Sequence, residues 1–268
     1  MIAMAMAWTA TAAAQFETQP LLGTGEPAVK DRPLFSRKHQ ASPPSAYLQP
    51  VKIHVPGAKF VKVRFSEFRL PDGVTVAVSN PEGSETWRYS KFDRDSITIN
   101  TEIGDDGYEA FSAMSITGDT AIVRFSGLTS RFDPSSHSIV IDALTPEESP
   151  ASSIQKSKGI SSPALETTCG ESERFDAVCW VDDHPDEYER STPVALIITA
   201  TGKQCSAWRV GRQNHLFTAR HCIGSQSALD GAEIWFNYEA TVCGGEADAQ
   251  VVKVTGDELL ASDYYLDY

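Results

Sequence analysis

No cysteine occurs among the first 168 residues of this 268-residue chain, so nothing in that stretch can be stapled by a disulfide or hold a metal through thiolates. No apolar run approaches the roughly 18–20 residues that carry a helix across a bilayer. Basic residues are scarce, with 23 Lys and Arg against 36 Asp and Glu for a formal charge of −13. Phosphate backbones and anionic lipid surfaces repel such a chain on average, so neither nucleic acid nor a membrane is expected as a partner. Helical periodicity of apolar residues is nearly absent, which points to an all-β protein. No G-D-S-G, G-x-S-G or G-x-S-x-G string occurs, so the chain shows no serine in a familiar nucleophile setting. No C-x2-C spacing is present, and a zinc site built from His184, His221 and the cysteines is not expected. Neither is any organic cofactor.

What is present begins with "MIAMAMAWTATAAA", residues 1–14, small and apolar and ending in Ala12-Ala13-Ala14 before Gln15. That pattern reads as a signal peptide and predicts a secreted or periplasmic protein, although no Lys or Arg precedes the apolar run. Residues 15–45 are polar and punctuated by Pro and Gly, and are expected to be a disordered leader. The pattern then changes to period 2. In "FVKVRF", Val61, Val63 and Phe65 fall on one face and Lys62, Arg64 and Ser66 on the other. Further candidate strands ("VTVAV", Thr86–Tyr89, Ile97–Ile99, "FSAMSI", "TAIVRF", "SIVIDAL") follow at short intervals, separated by turn-rich strings. That rhythm predicts an antiparallel β-sandwich over residues 46–145. His54 and His137 are isolated there, and Asp105, Asp106 and Asp119 stand in turn contexts, so all five are expected to be structural.

Residues 146–168 are rich in Ser, Pro and charge and read as an exposed linker, with Lys158-Gly159 a candidate processing point. All five cysteines follow: Cys169, Cys179, Cys205, Cys222 and Cys243. Clustered cysteines behind a signal peptide indicate a disulfide-stapled second domain, and an odd count leaves one thiol without a partner. This half is again β in character, through "VALIITA", "HLFTA", "AEIWFNY", "AQVVKVTG" and "ELLA". Asp182, Asp183 and Asp186, in "VDDHPDEYE", read as a solvated loop.

The string "FTARHC", Phe217 to Cys222, holds the candidate chemistry. A general-base histidine needs a fixed backbone, a carboxylate on one ring nitrogen and a hydroxyl near the other. A strand end, a small Ala219 and a cysteine immediately after His221 supply the first, and Cys205 is well placed to bridge Cys222.

The run from Cys205 through "SAWRVGRQNHLFTARH" to Cys222 resembles the cysteine–strand–strand–T-A-x-H-C unit of trypsin/chymotrypsin-like serine proteases. With "CGESERFDAVC" before it and "EIWFNYEATVC" after it, the chain looks most like the microbial secreted proteases typified by lysyl endopeptidase. The resemblance implies a chymotrypsin-like β-barrel, incomplete here, over residues 169–268. It also implies His221 as general base, a Cys205–Cys222 bridge, a Cys179–Cys243 bridge, and a partner for Cys169 that this chain does not contain. Asp267, between Leu266 and Tyr268, resembles the start of the family's D-Y/F-x-L-L motif and is the preferred triad acid, with Asp263 the alternative. The expected function is thus the N-terminal part of a secreted, monomeric serine endopeptidase precursor acting on proteins or peptides. With no serine in place, this chain alone is expected to be inactive. The competing expectation is a non-catalytic secreted binding or adhesion protein with a protease-like domain.

Overall fold

The computed structural model describes residues 15–17, 32–35, 50–127, 133, 136–144, 175–245 and 251–267. Residues 1–14, the linker at 146–168, Lys158, Gly159 and Cys169 lie outside the described residues. The chain divides into two compact units, Met1–Pro146 and Glu147–Tyr268. Both are predominantly antiparallel β-structure.

The first unit contains strands β1 (Gln15–Glu17), β2 (Arg32–Phe35), β3 (Val51–His54), β4 (Phe60–Arg69), β5 (Thr75–Ser79), β6 (Thr86–Ser90), β7 (Ile97–Thr98), β8 (Phe111–Ala113), β9 (Ile116–Thr117), β10 (Thr120–Ser126) and β11 (Ser138–Leu144). One sheet runs β1-β3-β10-β5-β6 and the other β2-β11-β4-β8-β7, with β9 also pairing with β4. Two strands thus fall within the stretch expected to be a leader. β1 pairs in parallel with β3, and β2 antiparallel with β11. An open sheet edge presents unpaired N–H and C=O groups that even a three- or four-residue segment can satisfy, and an edge strand tolerates Pro33. That is why apolar periodicity gave no sign of either strand.

The core of this unit draws side chains from both sheets into one buried cluster, centred on Phe65, Phe68, Tyr89 and Phe111. Ring centroids in that group lie 4.9–6.1 Å apart. Strict alternation would send Phe65 and Phe68 to opposite faces. Instead the pairing of β4 with β11 shifts register between Phe65 and Glu67, leaving Ser66 as an extra residue. This β-bulge returns Phe68 to the core side.

The expected solvent face of β4 is also only partly solvated, because the segment carrying Ile103 and Asp105 lies over Arg64. Arg64 Nε donates to Asp105 Oδ1 at 2.8 Å, and Asp105 Oδ2 accepts from the Asn100 N–H. Asp105 is buried, anchoring Arg64, while Asp106 accepts from the N–H groups of Tyr108, Glu109 and Ala110 as a turn residue does. His54 Nδ1 meets Thr120 Oγ1 at 2.9 Å, and His137 Nδ1 accepts from the Asp133 N–H. These are structural contacts.

The second unit holds a five-stranded antiparallel sheet in the order β14-β13-β12-β15-β16. Its strands are β12 (Val194–Ile198), β13 (Gln204–Val210), β14 (His215–Thr218), β15 (Glu233–Phe236) and β16 (Val252–Val254). The sheet is open: among the described residues β14 and β16 are its edges and do not pair with each other. The "ELLA" segment at residues 258–261 forms no strand, and its Leu259 N–H donates to Gln226 Oε1 at 2.8 Å instead.

Two short helices depart from the all-strand expectation. Helix α1 (Pro185–Ser191) occupies the stretch read as a solvated loop, and α2 (Gln226–Asp230) follows the candidate histidine. Pro185 at the first helical position with Asp186 and Glu187 in the first turn is a helix-start signal that the apolar pattern conceals. Disulfides join Cys179 to Cys243 and Cys205 to Cys222, with Cα–Cα separations of 4.8 and 6.2 Å.

Candidate functional site

The β13–β14 hairpin turns through Gly211 and Asn214, both at positive φ, and delivers the chain to Thr218. Beyond it a tight turn forms, with the Cys222 N–H donating to Ala219 O at 2.9 Å. Gly224 closes the turn, since a Cβ there would sit 3.0 Å from Arg220 O. The Cys205–Cys222 bridge ties this turn to β13. His221 therefore projects from a backbone held at both ends.

A second segment docks onto the turn. Asp263 Oδ1 accepts from the N–H groups of Tyr265 and Leu266, each at 2.9 Å, curling the chain so that Asp267 reaches the histidine. Asp267 adopts φ +54°, a left-handed conformation that Asp tolerates better than most residues. Its main-chain oxygen accepts from the Arg220 N–H at 3.1 Å, and its Oδ1 from the His221 N–H at 3.0 Å. Its Oδ2 lies 2.7 Å from His221 Nδ1. Both candidate acids thus have a place, but different ones. Asp267 touches the imidazole, and Asp263 shapes the turn that presents it.

The hydrogen bond from His221 holds the Asp267 carboxyl below its ordinary value, helped by the His221 main-chain N–H. An ionised carboxylate can only accept, so Nδ1 carries the proton and Nε2 is left as the lone-pair nitrogen. That is the tautomer a general base requires. Both side chains are at least half exposed, so solvent screens the pair and it contributes little to stability.

A titration follows. Because the folded-state value of Asp267 is depressed, the contact is fully present above 3.8 and is lost only as pH falls through a lower midpoint. Carboxyl 13C shifts of Asp267 are expected to titrate below 3.8, and a midpoint at or above it would show that the histidine does not engage the ionised form.

Beside the imidazole lies an open depression of about 560 Å³, bounded by Lys203, Ser206, Trp208, Phe217, His221 and Leu266. Trp208 and Phe217 are cross-strand partners, their rings 6.3 Å apart and 18° from parallel. Neither lining aromatic stands out from the sequence motifs. The signal was there in "QCSAWRV", where small residues at Cys205 and Ala207 take the inner phase and Trp208 falls on the other.

The sulfurs of Cys205 and Cys222 and a ring nitrogen of His221 lie within 4.8 Å of one another. The sulfurs are bonded to each other, and a disulfide offers no thiolate to a metal. His184 stands at the start of α1, 4.0 Å from Glu187, and neither it nor His215 belongs to that group.

No family model matches the chain, and no solved structure matches it. Among curated proteins it is similar to one described as "Secreted RxLR effector protein 73" from Plasmopara viticola, 24% identical over 223 residues. The match covers 79% of this chain and 51% of that protein, so the chain spans about half the length of the curated relative.

Proposed function

We propose that the second unit is the histidine–aspartate half of a trypsin-like serine endopeptidase centre. In this reading His221 takes the proton of a serine hydroxyl at Nε2, and Asp267 fixes the tautomer and stabilises the imidazolium that forms. The observation that carries it is the double engagement of Asp267, one carboxylate oxygen on His221 Nδ1 and the other on the His221 N–H. An exposed pair adds little to folding, so two converging contacts onto one histidine favour a chemical role over a structural one.

The serine and the anion-binding amides would come from polypeptide outside residues 1–268. On the same reading the five-stranded sheet is part of a chymotrypsin-like barrel, the two sheets of the first unit form a sandwich acting as a pro-region, and Lys158-Gly159 is where the precursor is cut. Two disulfides and the similarity to a secreted protein support an extracellular setting.

A binding protein is the second reading. It is favoured by an exposed apolar row in which Val194, Trp208 and Phe217 are successive cross-strand neighbours on three strands. The two are separated by the coding sequence that follows Tyr268. Continuation for about one further domain, roughly 100–200 codons, with a G-x-S-G string and another cysteine supports the endopeptidase. A stop codon directly after Tyr268 supports the binding protein.

A further inference from the structure

The segment that presents Asp267 is held with little apolar burial. Its three large side chains, Tyr264, Tyr265 and Leu266, are 73%, 92% and 73% exposed. The Asp267 side chain is half exposed, so the hydrogen bonds it accepts compete with water and each adds only modestly to docking.

A further contact joins this segment to the histidine turn. The Arg220 guanidinium carbon lies 4.9 Å from the centroid of the Tyr264 ring, within the range of a cation–π contact. Arg220 is half-buried, its side chain running over Gly224, where a Cβ would meet Arg220 Cγ at 3.5 Å and Cζ at 3.7 Å. The bare glycine leaves the guanidinium a place beside the turn.

The positions of the two residues give this contact its leverage. Arg220 immediately precedes His221, and its N–H donates to Asp267 O. Tyr264 lies inside the turn that Asp263 closes through the Tyr265 and Leu266 N–H groups, so its ring and the Asp267 carboxylate are carried on one turn. A contact between Arg220 and Tyr264 therefore sets how His221 and Asp267 meet.

We propose that Arg220 and Tyr264 are positioning residues, a cation–π clasp that seats Asp267 on His221. The inference deepens the endopeptidase reading, on which it rests for the chemical use of that pair. At an exposed site such a contact shifts the docking equilibrium about two- to fivefold.

The test uses the full chain with both disulfides formed and follows the Asp267 carboxyl 13C shift against pH in the folded protein. Arg220→Gln removes the charge and keeps the main-chain N–H, whereas Tyr264→Ser removes the ring and no cation. Each is expected to raise the proton affinity of the Asp267 carboxylate about two- to fivefold, which moves its midpoint toward 3.8. Combined, they are expected to do no more than either alone, since both break one contact. Arg220→Lys and Tyr264→Phe, which keep a cation and a ring, are expected to keep the midpoint of the natural chain. Lys203, a second cation beside His221 with its Nζ 3.3 Å from His221 O, is present in every variant.

A purely coulombic effect of Arg220 would leave the midpoint unmoved in Tyr264→Ser, and a merely structural role would lower the thermal unfolding temperature without moving the Asp267 midpoint in any variant. Either result overturns the proposal, as do effects that add in the double variant. The readout needs no serine, so the endopeptidase reading can fail for want of a nucleophile while the response of Asp267 stands. An unmoved midpoint removes the clasp and leaves that reading untouched.

Discussion

With a serine nucleophile in place, Asp267→Asn is expected to lower kcat by about four orders of magnitude while leaving the fold intact. Asparagine suits the site structurally. It tolerates the left-handed backbone at φ +54°, and its Oδ1 can go on accepting the His221 N–H. The other contact inverts. The amide nitrogen that replaces Oδ2 can only donate, so His221 Nδ1 must become the acceptor and Nε2 must carry the proton. A protonated Nε2 cannot remove a proton from a hydroxyl. The loss should therefore appear in kcat rather than in stability, and unchanged thermal unfolding alongside the collapsed rate is the expected pair of readouts. A loss of tenfold or less would mean that Asp267 does not set the tautomer.

The second large effect is structural. Cys205→Ala/Cys222→Ala removes a 17-residue closure and is expected to cost the second unit about 3 kcal/mol. For a unit of this size that corresponds to a fall in Tm of roughly 10–20 °C. The cost matters here because the apolar core is thin. The cluster that the bridge adjoins has Ala195, Ile197, Ala207, Ile223, Ala232 and Ile234 as its buried members, half of them alanines, while Ile198 and Trp235 are buried outside it. A small core leans on covalent staples. The bridge also fixes the turn that carries His221, so reduction should loosen the His221–Asp267 contact before the sheet melts. Differential scanning calorimetry of the oxidised double variant checks the first expectation. A shift below about 5 °C would place the stability elsewhere.

The sequence made the strands legible where burial was one-sided. Alternation locates β4, and short apolar runs between turn strings locate β5, β10 and β12, of which β10 is buried at four successive positions. It could not show β1 and β2, which are held by main-chain pairing to β3 and β11 rather than by an apolar pattern. Nor could it show the extra residue at Ser66, whose effect is visible only once β11 supplies a register.

At the candidate site, His221 and Asp267 stand in strings that the sequence makes visible, and their side chains meet at 2.7 Å. The separate job of Asp263 was not legible, since two carboxylates four positions apart look alike until the turn between them is folded. The grouping of Lys203, Trp208 and Phe217 around one depression is not legible for a related reason. Their grouping depends on the pairing of Trp208 with Phe217 and on the return of the chain past Lys203 at His221, both long-range relations.

The most direct test of the central claim is fluorophosphonate labelling of the natural secreted polypeptide that contains this sequence. The general-base role of His221 predicts one phosphonylated serine located beyond Tyr268, with labelling lost in His221→Ala although the protein stays folded and disulfide-bonded. A folded, fully oxidised polypeptide that takes up no label, or labels equally well without His221, would contradict it.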